Sequence, residues 1–378
     1  MTGSYRGLTW DHPRGTVALR AAVDEPAAPV VDLIWDAQPL EGFESASVAE
    51  NAAAYDLLVL DHPHLGEALR TEALRPLDEL FTAAEVEGWR ARAVGPSFAS
   101  YELDGRAWAL PLDAATQVSA LADPGIEAPT TWAEALELAS DVDTVLPLTG
   151  PHLFLTLCSI AVGEGVEPGA GPTFLPEPAV ADAMAVLERF VPGAHATETH
   201  NPITVLEDMA RQGGPVYCPH VYGYVTYSRP AIGRRPVRFV DAPAGTSGRR
   251  GSVLGGTGIA VSRRCEPDAA LLDHLRWLMD DRTQRTFIPR RDGQPSVVAA
   301  WEDDEVDAAA LGFYSRTRRT VEDAWVRPRH DGAIAFQSAA ADRVRAALLG
   351  HSDPARLSRE LDELHHRHRP DPAIQERP

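Results

Sequence analysis

Between residues 6 and 89, apolar stretches of strand length alternate with amphipathic stretches of helix length, and this limits the chain to few architectures. Arg6–Trp10, Val30–Trp35 and Tyr55–Leu60 read as strands. Thr16–Val23, Val48–Ala54, Leu65–Leu69 and Leu77–Trp89 read as helices, with Thr16 placed to cap the first. Strands separated by helices pair in the same direction, because the crossover helix returns the chain to the end at which the previous strand began. The expectation is an α/β fold with a mostly parallel sheet flanked by helices.

Beyond residue 99 the pattern changes. "SYELDGRAWALPLD" (100–113) reads as a hairpin turning at Asp104-Gly105. "PTTWAEALELAS" is a helix start with a Thr cap, and the Gly- and Pro-rich stretch 163–178 is a loop. Helices are expected over Ala179–Phe190, Pro202–Gln212, Ala269–Asp280 and Leu357–His366, with strands and turns between 213 and 258. Residues 371–378 read as a disordered tail.

A chain of 378 residues exceeds what one core usually holds, so two domains are expected. The net charge of -20 repels phosphate backbones and anionic lipid, which argues against nucleic acid and membrane surfaces as partners. All 35 basic residues are Arg, which excludes Schiff-base chemistry and the lysine-dependent phosphate loop. Cys158, Cys218 and Cys265 have neither metal-type spacing nor an even count, so no disulfide framework is expected. "MTGSYRGLTWDHPRG" has no apolar signal-peptide core, and the longest apolar run, Leu153–Val162, is too short to span a bilayer. The chain as given is therefore expected in the cytoplasm, or outside it had a signal been removed.

One spelling occurs twice. "WDHPRG" (10–15) and "LDHPHLG" (60–66) each place Asp-His-Pro directly after an apolar strand. Pro fixes φ and removes a donor, so both loops are stiff and aim their neighbours. Three readings stand for them. Asp11, His12, Asp61 and His62, with Trp10 as an apolar face, form a polar ligand shell. Alternatively, Asp and His cap the turns that follow. In the third, His12, His62 and His64 with a carboxylate hold a metal.

"AWALPLDAATQVSAL…APTTWAEALELA" (107–139) resembles the segment of extracellular solute-binding proteins of carbohydrate-type ABC transporters in which the chain first crosses between lobes. "GGTGIAVSRRCEPDAALLDHLRWLMDDRTQ" (255–284) is similar to that family's return crossover, in the same order and at matching spacing. The resemblance covers roughly residues 5–340. It implies a two-lobed, periplasmic-binding-protein-like fold, each lobe a mostly parallel sheet flanked by helices, with a ligand cleft between the lobes. Lobe 1 is expected to comprise 1–112 plus 253–300, and lobe 2 to comprise 113–252 plus 301–370. Crossing segments are expected near 111–116 and 250–256.

Ligands of open α/β sheets sit beyond the carboxyl ends of the strands, so both Asp-His-Pro loops are expected to face this cleft. The family also points to Asp113 at the first crossing, as a ligand contact or hinge brace. It further implies aromatic residues of the second lobe, for which strand alternation selects Tyr222 and Tyr224. Gly255, Gly256 and Thr257 offer a close backbone approach to ligand, or a hinge. Arginines concentrated in the second half, Arg316–Arg329 among them, would grip a carboxylate or phosphate if they reached the cleft. The function implied is binding of a sugar, polyol or small organic acid by a monomer, without catalytic residues, cofactor or metal, and with an ABC permease as partner. The alternative is a cytoplasmic, biosynthetic enzyme that uses the His/Asp-lined cleft; separately, Cys218 near His220 invites a nucleophile reading.

Overall fold

The computed structural model describes residues 3–194 and 200–369; the expected tail at 371–378 lies outside the described residues. The strands are β1 (Ser4–Trp10), β2 (Asp32–Gln38), β3 (Leu57–Leu60), β4 (Leu74–Arg75), β5 (Glu102–Leu103), β6 (Arg106–Ala107), β7 (Leu110–Leu121), β8 (Tyr217–Tyr222), β9 (Arg238–Val240) and β10 (Leu254–Ser262). The main sheet runs β2-β1-β3-β10-β7-β8, with β4 on β10 and β9 on β7, while β5 and β6 form a separate hairpin.

Among the described strands, parallel ladders join only β2, β1 and β3, the strands connected by helical crossovers; other parallel pairing is limited to isolated bridges. Every pairing made by β7 and β10 is antiparallel, so the second half of the sheet departs from the parallel expectation. The reason is connectivity. β10 returns from the far lobe and runs against both β3 and β7 rather than through a helical crossover.

β7 is the spine of the molecule. All 12 of its residues are buried, and at ~3.3 Å per residue it spans roughly 40 Å. Its first half pairs with β10 and its second half with β8 and β9, so one strand passes from one lobe into the other. Its polar side chains survive burial because each has a partner. Gln117 donates to Thr156 Oγ1 at 3.1 Å and accepts from Ser159 Oγ at 2.7 Å; Ser119 donates to the Pro219 carbonyl at 2.9 Å. Thr116 bonds Ser252 Oγ and the Val253 carbonyl. The helix that supplies Thr156 and Ser159, His152–Gly163, is buried along its whole length and centres the second lobe's core.

The first four helices are α1 (Pro13–Val23), α2 (Leu40–Ser45), α3 (Val48–Ala54) and α4 (Leu65–Arg70). α1 starts three residues earlier than expected, because Pro13 suits the first helical position and His12, not Thr16, caps it. The single helix expected over Leu77–Trp89 is divided. A 3-10 turn covers Leu77–Glu79, and Thr82 with Glu85 then forms a capping box that opens Ala83–Arg92. No helix among the described residues is long and apolar enough to cross a membrane.

The C-terminal segment closes back onto the first lobe at α4. A Cβ built on Gly66 would lie 2.1 Å from the Asp331 nitrogen and the His330 carbonyl carbon. Backbone rather than flexible side chain meets it, so Gly66→Ala has to separate α4 from this segment. The expected cost is about 2–3 kcal/mol of stability, read as a lower urea midpoint with an unchanged slope.

Candidate functional site

The first Asp-His-Pro loop builds inward from Trp10. His12 is extended and its Nδ1 accepts the Arg14 N–H at 3.1 Å, capping α1. The Trp10 indole stacks on the His12 ring with centroids 5.1 Å apart and planes 5° from parallel. Gly15 makes room for it, since a Cβ there would stand 2.5 Å from the indole nitrogen. Arg14 is then directed into the protein. Its Nε and Nη2 donate to Asp113 Oδ2 and Oδ1 at 2.5 and 2.6 Å, and its Nη1 donates to the Gly223 carbonyl at 3.3 Å. The guanidinium also lies 4.6 Å above the Tyr224 ring.

The second loop works differently. Asp61 Oδ1 accepts the His62 N–H at 2.9 Å, capping the 3-10 turn His62–His64. The same carboxylate takes Arg327 Nη2 at 2.7 and 2.5 Å, and Arg327 Nη1 reaches Gln337 Oε1 at 3.2 Å. Burial alone would raise the Asp61 pKa, but Arg327 and then His62 override it and hold the carboxyl below the usual range. His62 Nδ1 sits 3.1 Å from Asp61 Oδ1 but is too misaligned for a hydrogen bond.

Between the loops lies a cavity of about 50 Å³. Trp10, Phe43, Tyr222 and Tyr224 give it aromatic walls, and Arg14, Glu44, Asp61 and Thr257 its polar groups. Leu40, Ala115, Gly255 and Gly256 complete the lining. An outer groove of about 360 Å³ shares Glu44 with it and runs between α2 and residues 149–151 and 337–345. Glu44 Oε1 reaches across this groove to within 3.4 Å of His152 Nε2. The Tyr222 hydroxyl is buried with no hydrogen-bond partner among the described residues. Gly255 is the seat of that ring: a Cβ there would lie 2.6 Å from Tyr222 Cε1. Gly256 adopts φ +96, and a Cβ on it would meet the Asp113 carbonyl oxygen at 2.4 Å.

The structure therefore brings Trp10, Asp61, Tyr222, Tyr224, Gly255, Gly256 and Thr257 to one cavity wall. Asp113 lies beside it, on an adjoining void of about 10 Å³ shared with Arg14 and Thr257. Three expected contacts do not reach the cavity. Asp11 is exposed, His12 is stacked behind Trp10, and His62 is 0% exposed beneath its own loop. The carboxylates of Asp61 and Asp113 are engaged by Arg327 and Arg14; for Asp113, expected as a ligand contact or a hinge brace, that contact ties the start of α1 to the crossing strand. Sequence reasoning missed Arg14, Phe43, Glu44 and Arg327. Arg14 stood inside the quoted motif and Arg327 inside the noted arginine run, but their partners are protein carboxylates 99 and 266 residues away.

The histidines of the metal alternative do not converge among the described residues. His12 packs among Trp10, Tyr224 and Tyr227 while His62 packs on Tyr101, and no group of three or more His, Cys, Asp and Glu converges among the described residues. Cys218 is equally unsuited to nucleophilic work. Burial pushes its thiol pKa up, its Sγ donates to the His220 carbonyl at 3.5 Å, and the His220 ring faces Trp132 at 5.0 Å.

Burial lowers the pKa of His12 to about 3, of His62 to about 4 and of His220 to about 3. Between those values and an unfolded pKa near ~6.5, the unfolded chain binds more protons, so stability falls as pH drops through this window. Each histidine contributes up to about 1.4 kcal/mol per pH unit there. His220→Phe keeps the aromatic packing without the proton. Urea unfolding should show it losing about 2 kcal/mol less than the parent chain between pH 7 and pH 5.

No protein-family model and no curated protein matches the chain. Solved structures do. An ABC transporter solute-binding protein from Agrobacterium radiobacter K84, in complex with ribitol, aligns at TM-score 0.78 and 18% identity, over 97% of this chain and 98% of that one. Maltose-bound MalE3 from T. maritima aligns at TM-score 0.76 and 16% identity, over 96% and 99%. UgpB from Mycobacterium tuberculosis, in complex with glycerophosphocholine, aligns at TM-score 0.74 and 16% identity, over 97% and 99%. Near-complete coverage in both directions, with β7 and β10 crossing as the sequence motifs implied, gives the chain the two-lobed α/β fold of ABC-transporter solute-binding proteins.

Proposed function

We propose that this chain is a solute-binding protein that closes its two lobes over a small polar ligand, working as a monomer that delivers to an ABC permease outside the cytoplasmic membrane. In this reading lobe 1 is 1–112 plus 253–300, lobe 2 is 113–252 plus 301–370, and β7 and β10 are the hinge segments.

The observation that carries the proposal is the unpartnered Tyr222 hydroxyl on a cavity walled by aromatic rings and two carboxylates, Asp61 and Glu44. A buried hydroxyl left unpaired costs about 1–3 kcal/mol, which a ligand hydroxyl would recover. Glu44 accepts hydroxyl groups, and Trp10 and Phe43 cover the apolar face of a carbon skeleton. Arg14 and Arg327 spend their charge on Asp113 and Asp61, leaving Glu44 as the lining carboxylate without an arginine. That balance favours a neutral polyol or sugar over an organic acid. Trp10, Tyr222, Tyr224, Thr257 and Glu44 are the proposed contacts, with Gly255 and Gly256 shaping the wall.

A thermal-shift series with ribitol, maltose and glycerophosphocholine tests this. A polyol or sugar ligand present at about 100 times its Kd adds ~2.7 kcal/mol of stability. No shift with any neutral polyol or sugar, against a clear shift with organic acids, would reverse the ligand class.

Tyr222→Phe and Glu44→Gln sharpen the assignment. Each should weaken the ligand by at least about tenfold, the loss of one well-placed hydrogen bond in a dry site. Tyr222→Phe should leave the melting temperature of the unliganded protein unchanged or raise it, because it removes an unsatisfied group. Unchanged affinity in both variants would move the site elsewhere.

A further inference from the structure

A cavity of about 970 Å³ opens away from the crossing strands, between the end of β7, the edge strand β9 and the helices Asp304–Ala309 and Phe313–Glu322. Its floor is apolar, built from Leu121, Ala122, Pro124, Pro236, Ala308 and Leu311. Such a volume, mostly apolar with a few charged groups, is typical of sites for small organic molecules.

Three arginines, Arg235, Arg238 and Arg316, line it. Acidic residues outnumber basic ones 55 to 35 in this chain, yet none of the three is in a salt bridge among the described residues. Arg235 is satisfied by the carbonyls of Met209, Gly214 and Pro215. Arg238 is not. One nitrogen donates to the Ile126 carbonyl, while its Nε is buried with no acceptor. Burial and the nearby charge of Arg316 lower the Arg238 pKa by more than Asp123 raises it. Three carboxylates also line the cavity, Asp123, Asp304 and Asp307, none of them paired with these arginines among the described residues; Asp123 accepts the Gly125 N–H at 2.8 Å and Asp307 the Ser315 N–H at 3.0 Å.

Leu311 is the second, independent observation. It holds φ +53, a left-handed conformation that glycine or asparagine adopts at less cost, and it remains 43% exposed. Neither backbone ease nor core packing accounts for a leucine there. Its side chain lines the cavity.

We propose that this cavity is a second ligand site, for an organic anion with an apolar body. A carboxylate or phosphate sits between Arg238 and Arg316, and the hydrocarbon lies over Leu311 and the end of β7. The guanidinium groups supply forked donors for the oxyanion, and the buried Arg238 Nε gains the acceptor it lacks. This site is separate from the cleft between the lobes and does not depend on what the cleft binds.

Calorimetric titration of the full chain with octanoate and with octyl phosphate tests it, with octanol lacking the anion and acetate lacking the body. One equivalent of octanoate or octyl phosphate should bind, the tighter of the two identifying the head group. Octanol and acetate should bind at least tenfold more weakly. Arg316→Gln and Leu311→Asp, both at exposed positions, should each weaken the anion at least tenfold, as should Arg238→Gln. Tyr222→Phe in the cleft should leave the affinity unchanged. The proposal is overturned if neither anion binds at millimolar concentration, if Arg316→Gln and Leu311→Asp bind as the parent does, or if Tyr222→Phe abolishes binding.

Discussion

Two buried arginine–aspartate pairs, Arg14 with Asp113 and Arg327 with Asp61, set the geometry on which the rest of the cleft depends. Removing either partner would strand a charge in a site almost closed to water, so each pair acts as a fixed joint. Arg14 ties the start of α1 to the first crossing strand. Arg327 ties the second loop to the segment that follows helix Phe313–Glu322. The Trp10, Tyr222 and Tyr224 rings are packed around these joints, and Arg14 itself lies over two of them. With both aspartates neutralised, the polar groups left for a ligand are few and specific: Glu44, the Tyr222 hydroxyl and Thr257.

The two Asp-His-Pro loops share position without sharing roles. Both follow strands of the parallel half of the sheet, and both begin a helical turn. In the first, His caps and Asp is exposed; in the second, Asp caps and His is buried. Their trailing glycines do related steric work, Gly15 against the Trp10 indole and Gly66 against the backbone of residues 330–331. The turn-capping reading accounts for His12 and Asp61, while Trp10 and Asp61 also line the cavity. One spelling encodes a stiff turn after a strand, and the tertiary partner decides what each side chain then does.

Local pattern made much of the fold legible. The alternation over residues 6–89 located β1, β2 and β3, and the period of Ala269–Asp280 located a helix observed over Ala269–Leu278. The resemblance carried by the motifs around 107–139 and 255–284 pointed to the crossing segments, which fall on β7 and β10; apolar pattern alone had suggested only a hairpin over 100–113. Helices Phe313–Glu322 and Ala333–Leu349 were not foreseen: the first is dense in arginine, and the second is an alanine-rich stretch with a weak apolar stripe. Residues lining the candidate cavity were legible where they sit on crossing or parallel strands, as with Trp10 and Gly255. Arg14 and Arg327 were not, since which carboxylate an arginine meets across 99 or 266 residues is a property of the assembled fold.

α2 links the inner cavity to the outer groove. It is six residues long, follows Pro39 and has no side-chain cap, so little in its own sequence fixes it. What holds it is tertiary: Phe43 packs at 5.9 Å from Trp10, Glu44 approaches His152, and Glu41 accepts a bond from Asn201 at 3.4 Å. The last two contacts cross from the parallel half of the sheet to the far lobe. A ligand that engages Glu44 and stacks near Phe43 therefore acts on the same short helix that bridges the groove. Under the proposed function, occupancy of the cavity would be coupled to lobe closure through α2, whose weak intrinsic stability leaves its position to be decided by those contacts.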